Sequence, residues 1–155
     1  MEVIDNRGLL LNVRNPEKIT AAIPTSKQLD QHKVLVKWGI DEARVLSNLN
    51  IKNVPSPIHA QYDWPGQVTP FEHQKTTAAF LTMNPRSFCF NEQGSGKTMS
   101  AIWAADYLMA QGKIRRALVI CPLSIMDSAW RADLFKVAMH RTVDVAHGSR
   151  EKRKK

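Results

Sequence analysis

Lys97 and Thr98 follow a Gly94-Ser95-Gly96 turn in the stretch FCFNEQGSGKTMSAIWAADYL, residues 88–108. Two glycines one residue apart let a backbone adopt conformations closed to other residues and come close to phosphate oxygens. Successive N–H groups in such a turn form a nest for anions. A lysine directly after the turn supplies a mobile cation for the outer phosphates, and a neighbouring threonine hydroxyl is a ligand for Mg²⁺. The general pattern for this chemistry, G-x-x-x-x-G-K-[ST], also asks for a glycine at the position that Asn91 occupies here. An Asn is compatible with phosphate binding there if it keeps an ordinary backbone conformation.

Such a loop works between a strand and a helix, and the flanking residues predict both. RSFCF, residues 86–90, reads as a short buried strand. GKTMSAIWAADYLMAQG reads as a helix closed by Gly112, with Ala101, Ile102, Ala105, Leu108 and Met109 on its apolar face. The helix would aim its positive dipole end at the loop. Upstream, TPFEHQKTTAAFLTMN predicts a helix with Thr69 as N-cap and Pro70 at the first helical position. Downstream, RRALVICP predicts a second buried strand, SIMDSAWRADLFKVA a helix capped by Ser124, and RTVDVAHG a third strand. From residue 70 the order is α-β-α-β-α-β, which means a parallel sheet with right-handed crossovers.

The first 50 residues differ in character. GLLLNVRN, KITAAIPTS and HKVLVKWGI read as three strands, and DEARVLSNLNI as a helix with Asp41 as its cap. NVPSPIHAQYDWPGQVTP is too rich in proline to be one regular element. Its Tyr62 and Trp64 predict that it packs on a neighbour. The expected organisation is a small α+β accessory unit over 1–50, a Pro-rich connector over 51–68, and a main domain over 69–155.

Composition sets outer bounds. At 155 residues, 43% hydrophobic and 23% charged, the chain matches a globular domain rather than a disordered one. No run approaches the roughly 20 apolar residues of a membrane span, and the N-terminus MEVIDNRGLL lacks the pattern of a secretory signal. Cys89 and Cys121 sit in apolar runs and read as reduced, strand-buried thiols rather than metal ligands. Localisation in the cytoplasm of a bacterium or a phage-infected host cell, with no membrane partner, is the expectation. Net charge is +8, and residues 91–155 carry 12 Lys and Arg against 6 Asp and Glu. That surplus fits an anionic partner such as nucleic acid, and equally a solvated tail, because SREKRKK alone supplies half or more of it.

The segment NEQGSGKT resembles the phosphate loop of Snf-type translocases, among the superfamily-two helicases. That segment reads DE-M-G-L-G-KT in the family. Glu92, Gly94, Gly96, Lys97 and Thr98 match, and Asn91 replaces an Asp. TPFEHQKTTAAFL resembles the segment in which a Gln reads the adenine edge, and Gln74 is the matching residue. It stands 23 positions before Lys97. Phe71 is either a platform under the base or a core residue. ALVICPLSIMDSAWRADLFK resembles the following motif, in which a strand ends in Pro-Leu-Ser ahead of a Trp-bearing helix. Pro122, Leu123, Ser124 and Trp130 match. VAHGSREKRKK resembles the next strand with its His-Gly end, where His147 reads as structural.

The resemblance covers residues 69–155 and implies part of a RecA-like P-loop NTPase lobe of the α/β class, preceded by the accessory unit. It implies an ATP site made of Gln74, Gly94, Ser95, Gly96, Lys97, Thr98 and Met99. Lys97 and Thr98 are the catalytic residues in it, and Thr98 the Mg²⁺ ligand. It implies DNA as partner, through backbone contacts at Pro122, Leu123 and Ser124. Hydrolysis in this family also needs an Asp-Glu pair at a later strand end and a second lobe with its arginine fingers. No apolar strand ending in Asp-Glu follows Thr98. Residues 1–155 are therefore expected to be the N-terminal part of a translocase, inactive alone, with the remainder as partner. A non-hydrolysing nucleotide- or DNA-binding module is the alternative, and another P-loop enzyme such as a nucleotide kinase a remoter one.

Overall fold

The computed structural model describes residues 1–149. It is a mixed α/β structure with two adjoining apolar cores. In the N-terminal part, β1 (Glu2–Ile4), β2 (Gly8–Asn12), β3 (Lys27–Gln28) and β4 (Lys33–Lys37) form an antiparallel sheet in the order β1-β2-β4-β3. Asp5 and Asn6 turn β1 into β2 with φ of 47° and 54°, a left-handed pair that Asp and Asn enter more readily than bulkier residues. The β2–β4 register sets Leu9 against Val36 and Leu11 against Val34. All four are buried on the same face of the sheet, as the alternation in both strands requires.

That face is covered by α1 (Pro16–Ala22) and α2 (Ile40–Asn48). The α1 segment was expected as a strand. Pro16 at the first helical position presets φ, and Ile19 and Ile23 recur at helical spacing, so both bury together. The β-branched residues that pointed to a strand serve the helix instead. In α2, Gly39 is the N-cap and Asp41 lies in the first turn. Past the C-cap Leu49, Asn50 turns the chain with φ 61°, and the N–H of Ile51 returns to the carbonyl of Leu46 at 3.0 Å.

The connector packs firmly. It holds the short α3 (Ile58–Gln61) and buries Ile58. Tyr62, Trp64, Trp103 and Tyr107 form a chain of edge-on ring contacts at 5.2–5.8 Å. Trp103 Nε1 donates to the carbonyl of Pro65 at 3.2 Å. Gly66, at φ +119°, lies against the backbone of Lys136 and Val137, where a Cβ has no room. Trp38 Nε1 donates to Pro55 O at 2.9 Å, and Arg44 donates twice to Thr82 O. These bonds lock the N-terminal unit onto the connector and the next helix.

The second core is built by α4 (Glu72–Met83), α5 (Lys97–Ala110) and α6 (Ala132–Val137). α4 starts two residues later than expected. Phe71 is its N-cap, because Gln74 reaches back to accept the Phe71 N–H at 3.0 Å. α5 ends at Gly112, φ 67°, as expected, with the Lys113 N–H on Leu108 O at 2.8 Å. Its buried face is set by Trp103 and Tyr107, with Ile102 and Ala104 beside them. Ala101, Ala105, Leu108 and Met109 are half-buried at its margin, because the two large rings claim the centre.

The three expected parallel strands are not formed. Residues 86–90, 115–122 and 141–148 make no strand bridges, and the four-stranded antiparallel sheet is the only sheet among the described residues. Phe88, Phe90, Leu118 and Ile120 are more than 80% exposed. Apolar patterning qualifies a segment for a strand, but a strand exists only where another supplies the ladder, and these three do not pair with one another. Cys89 and Cys121 are free and half-buried within them, outside any strand. The helix expected over residues 124–138 is broken in type. A 3₁₀ turn at Leu123–Ile125 and a π-type stretch at Met126–Arg131 lead into α6. Ser124 lies within the 3₁₀ turn, which Pro122 precedes as cap. No helix among the described residues is long and apolar enough to cross a membrane.

Candidate nucleotide-phosphate site

The loop over residues 91–96 runs into α5 and is tied to α4. Gly94 and Gly96 have φ of +81° and +76°, the left-handed values that make glycine necessary at both positions. Asn91 is not among the positive-φ residues. It fulfils the condition on which an Asn is tolerated at this place. Its side chain adds a second role, donating from Nδ2 to Thr77 Oγ1 at 2.8 Å, and so anchors the start of the loop to α4. Thr77 Oγ1 in turn donates to His73 O at 2.7 Å.

Lys97 is the first residue of α5, and Thr98 and Met99 follow in its first turn. The Lys97 ammonium folds back over the loop and donates to the carbonyls of Asn91 and Glu92, at 2.9 and 2.7 Å. Gly96 is the N-cap with no side-chain capping bond, and the first turn contains no acidic residue. Neither a capping side chain nor a first-turn acid therefore offsets the positive end of this 14-residue helix. Ser95 Oγ is the one buried side-chain polar atom without a partner among the described residues. An orphan hydroxyl, two left-handed glycines, a mobile ammonium and a bare helix N-terminus are the donor set that a polyphosphate needs. This donor set suits an anion such as a phosphate group.

Gln74 is brought to this loop. It is 5% exposed, and its Nε2 fills the space where a Cβ on Gly96 would stand. Its Oε1 is engaged with the Phe71 N–H. Phe71 is 67% exposed, so it is not a core residue, and its ring stacks on His73 at 5.7 Å and 10°. Sequence reasoning missed His73 and Thr77. Both lie one helical turn or less from Gln74 on α4, which was the available signal. His73 Nε2 lies 3.0 Å from Ser95 O. A carbonyl can only accept, so Nε2 carries the proton.

Pro122, Leu123 and Ser124 are exposed, and no hydrogen bond among the described residues joins them to the loop. Trp130 is half-buried against the second core. The backbone N–H of His147 donates to Val145 O at 2.9 Å.

On the far side of α5, Asp106 is 4% exposed. It accepts from Tyr62 Oη at 2.6 Å, His140 Nε2 at 2.9 Å and Arg141 Nε. Burial pushes its pKa up, but the hydrogen bonds from Tyr62, Arg141 and His140 outweigh burial and hold the carboxyl below its ordinary value. Burial together with the bond to Asp106 pushes the Tyr62 phenol well above its usual range. Burial alone raises Tyr107 to about 12.

Comparison with protein-family models, curated proteins and solved structures returns no match for this chain.

Proposed function

We propose that this chain is the ATP-binding part of a DNA-dependent ATPase, a helicase or translocase of the Snf type. The observation that carries the reading is the bare N-terminus of α5. It is headed by Gly94, Gly96 and the Lys97 ammonium, and packed against Gln74 of α4. The ammonium leaves the carbonyls of Asn91 and Glu92 for the outer phosphates, while the first-turn N–H groups hold the inner ones. In this reading Gln74, packed beside Gly96, and the exposed ring of Phe71 serve the base. Mg²⁺, when bound, neutralises phosphate charge, with Thr98 as the chain's ligand to it.

In this reading residues 86–90, 115–122 and 141–148 become strands of a parallel RecA-like sheet once further strands pair with them. The exposure of Phe88, Phe90, Leu118 and Ile120 supports this, because apolar side chains of that size are usually covered. Exposed Pro122, Leu123 and Ser124 then meet the DNA backbone. Binding without hydrolysis is the activity proposed for residues 1–155, since no Asp-Glu strand end follows Thr98.

The test is Mg-ATP binding by Lys97→Ala. Loss of the ammonium is expected to weaken affinity at least tenfold, about 1.4 kcal/mol. Unchanged affinity for a labelled ATP would remove the loop from the site.

A further inference from the structure

We propose that His73 is a positioning residue that locks the peptide between Ser95 and Gly96 in the orientation required for phosphate binding. This rests on the ATP-binding reading of the loop. Three side chains of α4 touch the loop. Thr77 holds Asn91 at its start, Gln74 packs on Gly96 at its end, and His73 holds Ser95 between the two left-handed glycines. Of these three side chains, His73 is the one that bonds to a backbone atom of the glycine turn.

The geometry of the peptide unit gives that bond its consequence. In a trans peptide the C=O and the following N–H point in opposite directions within one plane. His73 Nε2 draws the Ser95 carbonyl toward α4 at 3.0 Å. The Gly96 N–H is thereby aimed away from α4. Glycine on both sides of Ser95 gives this stretch little torsional resistance of its own. Without the imidazole, the plane is free to turn and present the Ser95 carbonyl where a phosphate needs a donor. A carbonyl in an anion nest repels, so the orientation of one peptide decides whether the nest is complete. Stacking on Phe71 holds the ring of His73 in place.

His73 is exposed at the start of α4, so its replacement leaves both apolar cores untouched. The experiment is titration of the whole chain with a fluorescent ATP analogue and Mg²⁺. It compares the unmodified protein with His73→Ala, His73→Gln and Lys97→Ala. Loss of one neutral hydrogen bond predicts at least a fivefold weaker affinity for His73→Ala, about 1 kcal/mol. His73→Gln keeps an N–H donor of similar reach and is expected to restore affinity to within about twofold. The Gly96 amide proton should move downfield on adding the analogue to the unmodified and Gln forms, and stay in place in the Ala form. His73→Ala binding like the unmodified chain overturns the proposal, as does His73→Gln binding as weakly as His73→Ala. Lys97→Ala is the separate control. If it binds as tightly as the unmodified chain, the ATP reading fails on its own account.

Discussion

Gln74 serves two structures at once. Its amide oxygen holds the Phe71 N–H and so starts α4, and its amide nitrogen packs against Gly96 of the loop. A carbonyl oxygen has a second lone pair and an amide nitrogen two protons, so capacity remains for the edge of an adenine. Gln74→Ala is expected to reduce the preference for ATP over GTP by a factor equivalent to roughly 1–3 kcal/mol, as for amide readout of adenine in DNA. Affinity for inorganic triphosphate should stay within about twofold. Competition titrations measure both. Equal competition by ATP and GTP in the unmodified chain would show that Gln74 reads no base.

At the scale of elements, α5 joins the loop to the rest of the molecule. Its N-terminus carries Lys97. Two to three turns on, Asp106 collects the connector through Tyr62 and the segment after α6 through His140 and Arg141. A carboxylate this buried is stabilised only by its partners. Removing it leaves Arg141 without its counter-charge and Tyr62 without an acceptor. Asp106→Ala is expected to cost about 3 kcal/mol, the low end for breaking a buried pair because Arg141 is a third exposed. Urea denaturation monitored by Trp fluorescence checks this. The pH dependence follows from the lowered carboxyl pKa. The unfolded chain binds the proton more readily than the folded one. The contribution is therefore full above the ordinary Asp value of about 4 and is lost as pH falls through the folded-state value. Stability measured from pH 5 downward should fall less steeply in Asp106→Asn than in the unmodified protein. Parallel curves would mean that Asp106 is not the group responsible.

At the scale of the molecule, two buried cores stand beside three extended segments that no ladder protects. Amide exchange should separate them. Amides of 102–107 in α5 are expected to exchange slowly, and those of 88–90 and 118–120 within seconds, because solvent reaches the latter directly. Slow exchange at 118–120 in the isolated chain would mean that a sheet forms there after all. Phosphoryl transfer depends on positioning and charge, and an arginine finger alone is worth about 10³–10⁵ in rate. Residues 1–155 are expected to release phosphate at background rate, with or without DNA. Release stimulated by DNA in the unmodified chain, and absent in Lys97→Ala, would show that a complete site exists within these residues.

Much of the loop was legible in the sequence by itself. Glycines at 94 and 96, a lysine at 97 and an apolar helix stopped by Gly112 state local conformational needs, and local needs are met within a few residues. The same holds for the strands and helix over residues 8–12, 33–37 and 40–48, whose periodicity agrees with their pairing. The β-branched residues around 16–22 favour a strand locally, but Pro16 at the helix start and burial of Ile19 and Ile23 on one face make the segment a helix. What lay beyond the sequence was every relation between distant residues. That His73, Gln74 and Thr77 converge on the loop follows from how α4 crosses α5. That Asp106 gathers Tyr62, His140 and Arg141 follows from the same packing. The segments 86–90, 115–122 and 141–148 show the division from the other side. Their residue types favour strands, but pairing is a tertiary property, and only the assembled structure determines whether a partner lies alongside.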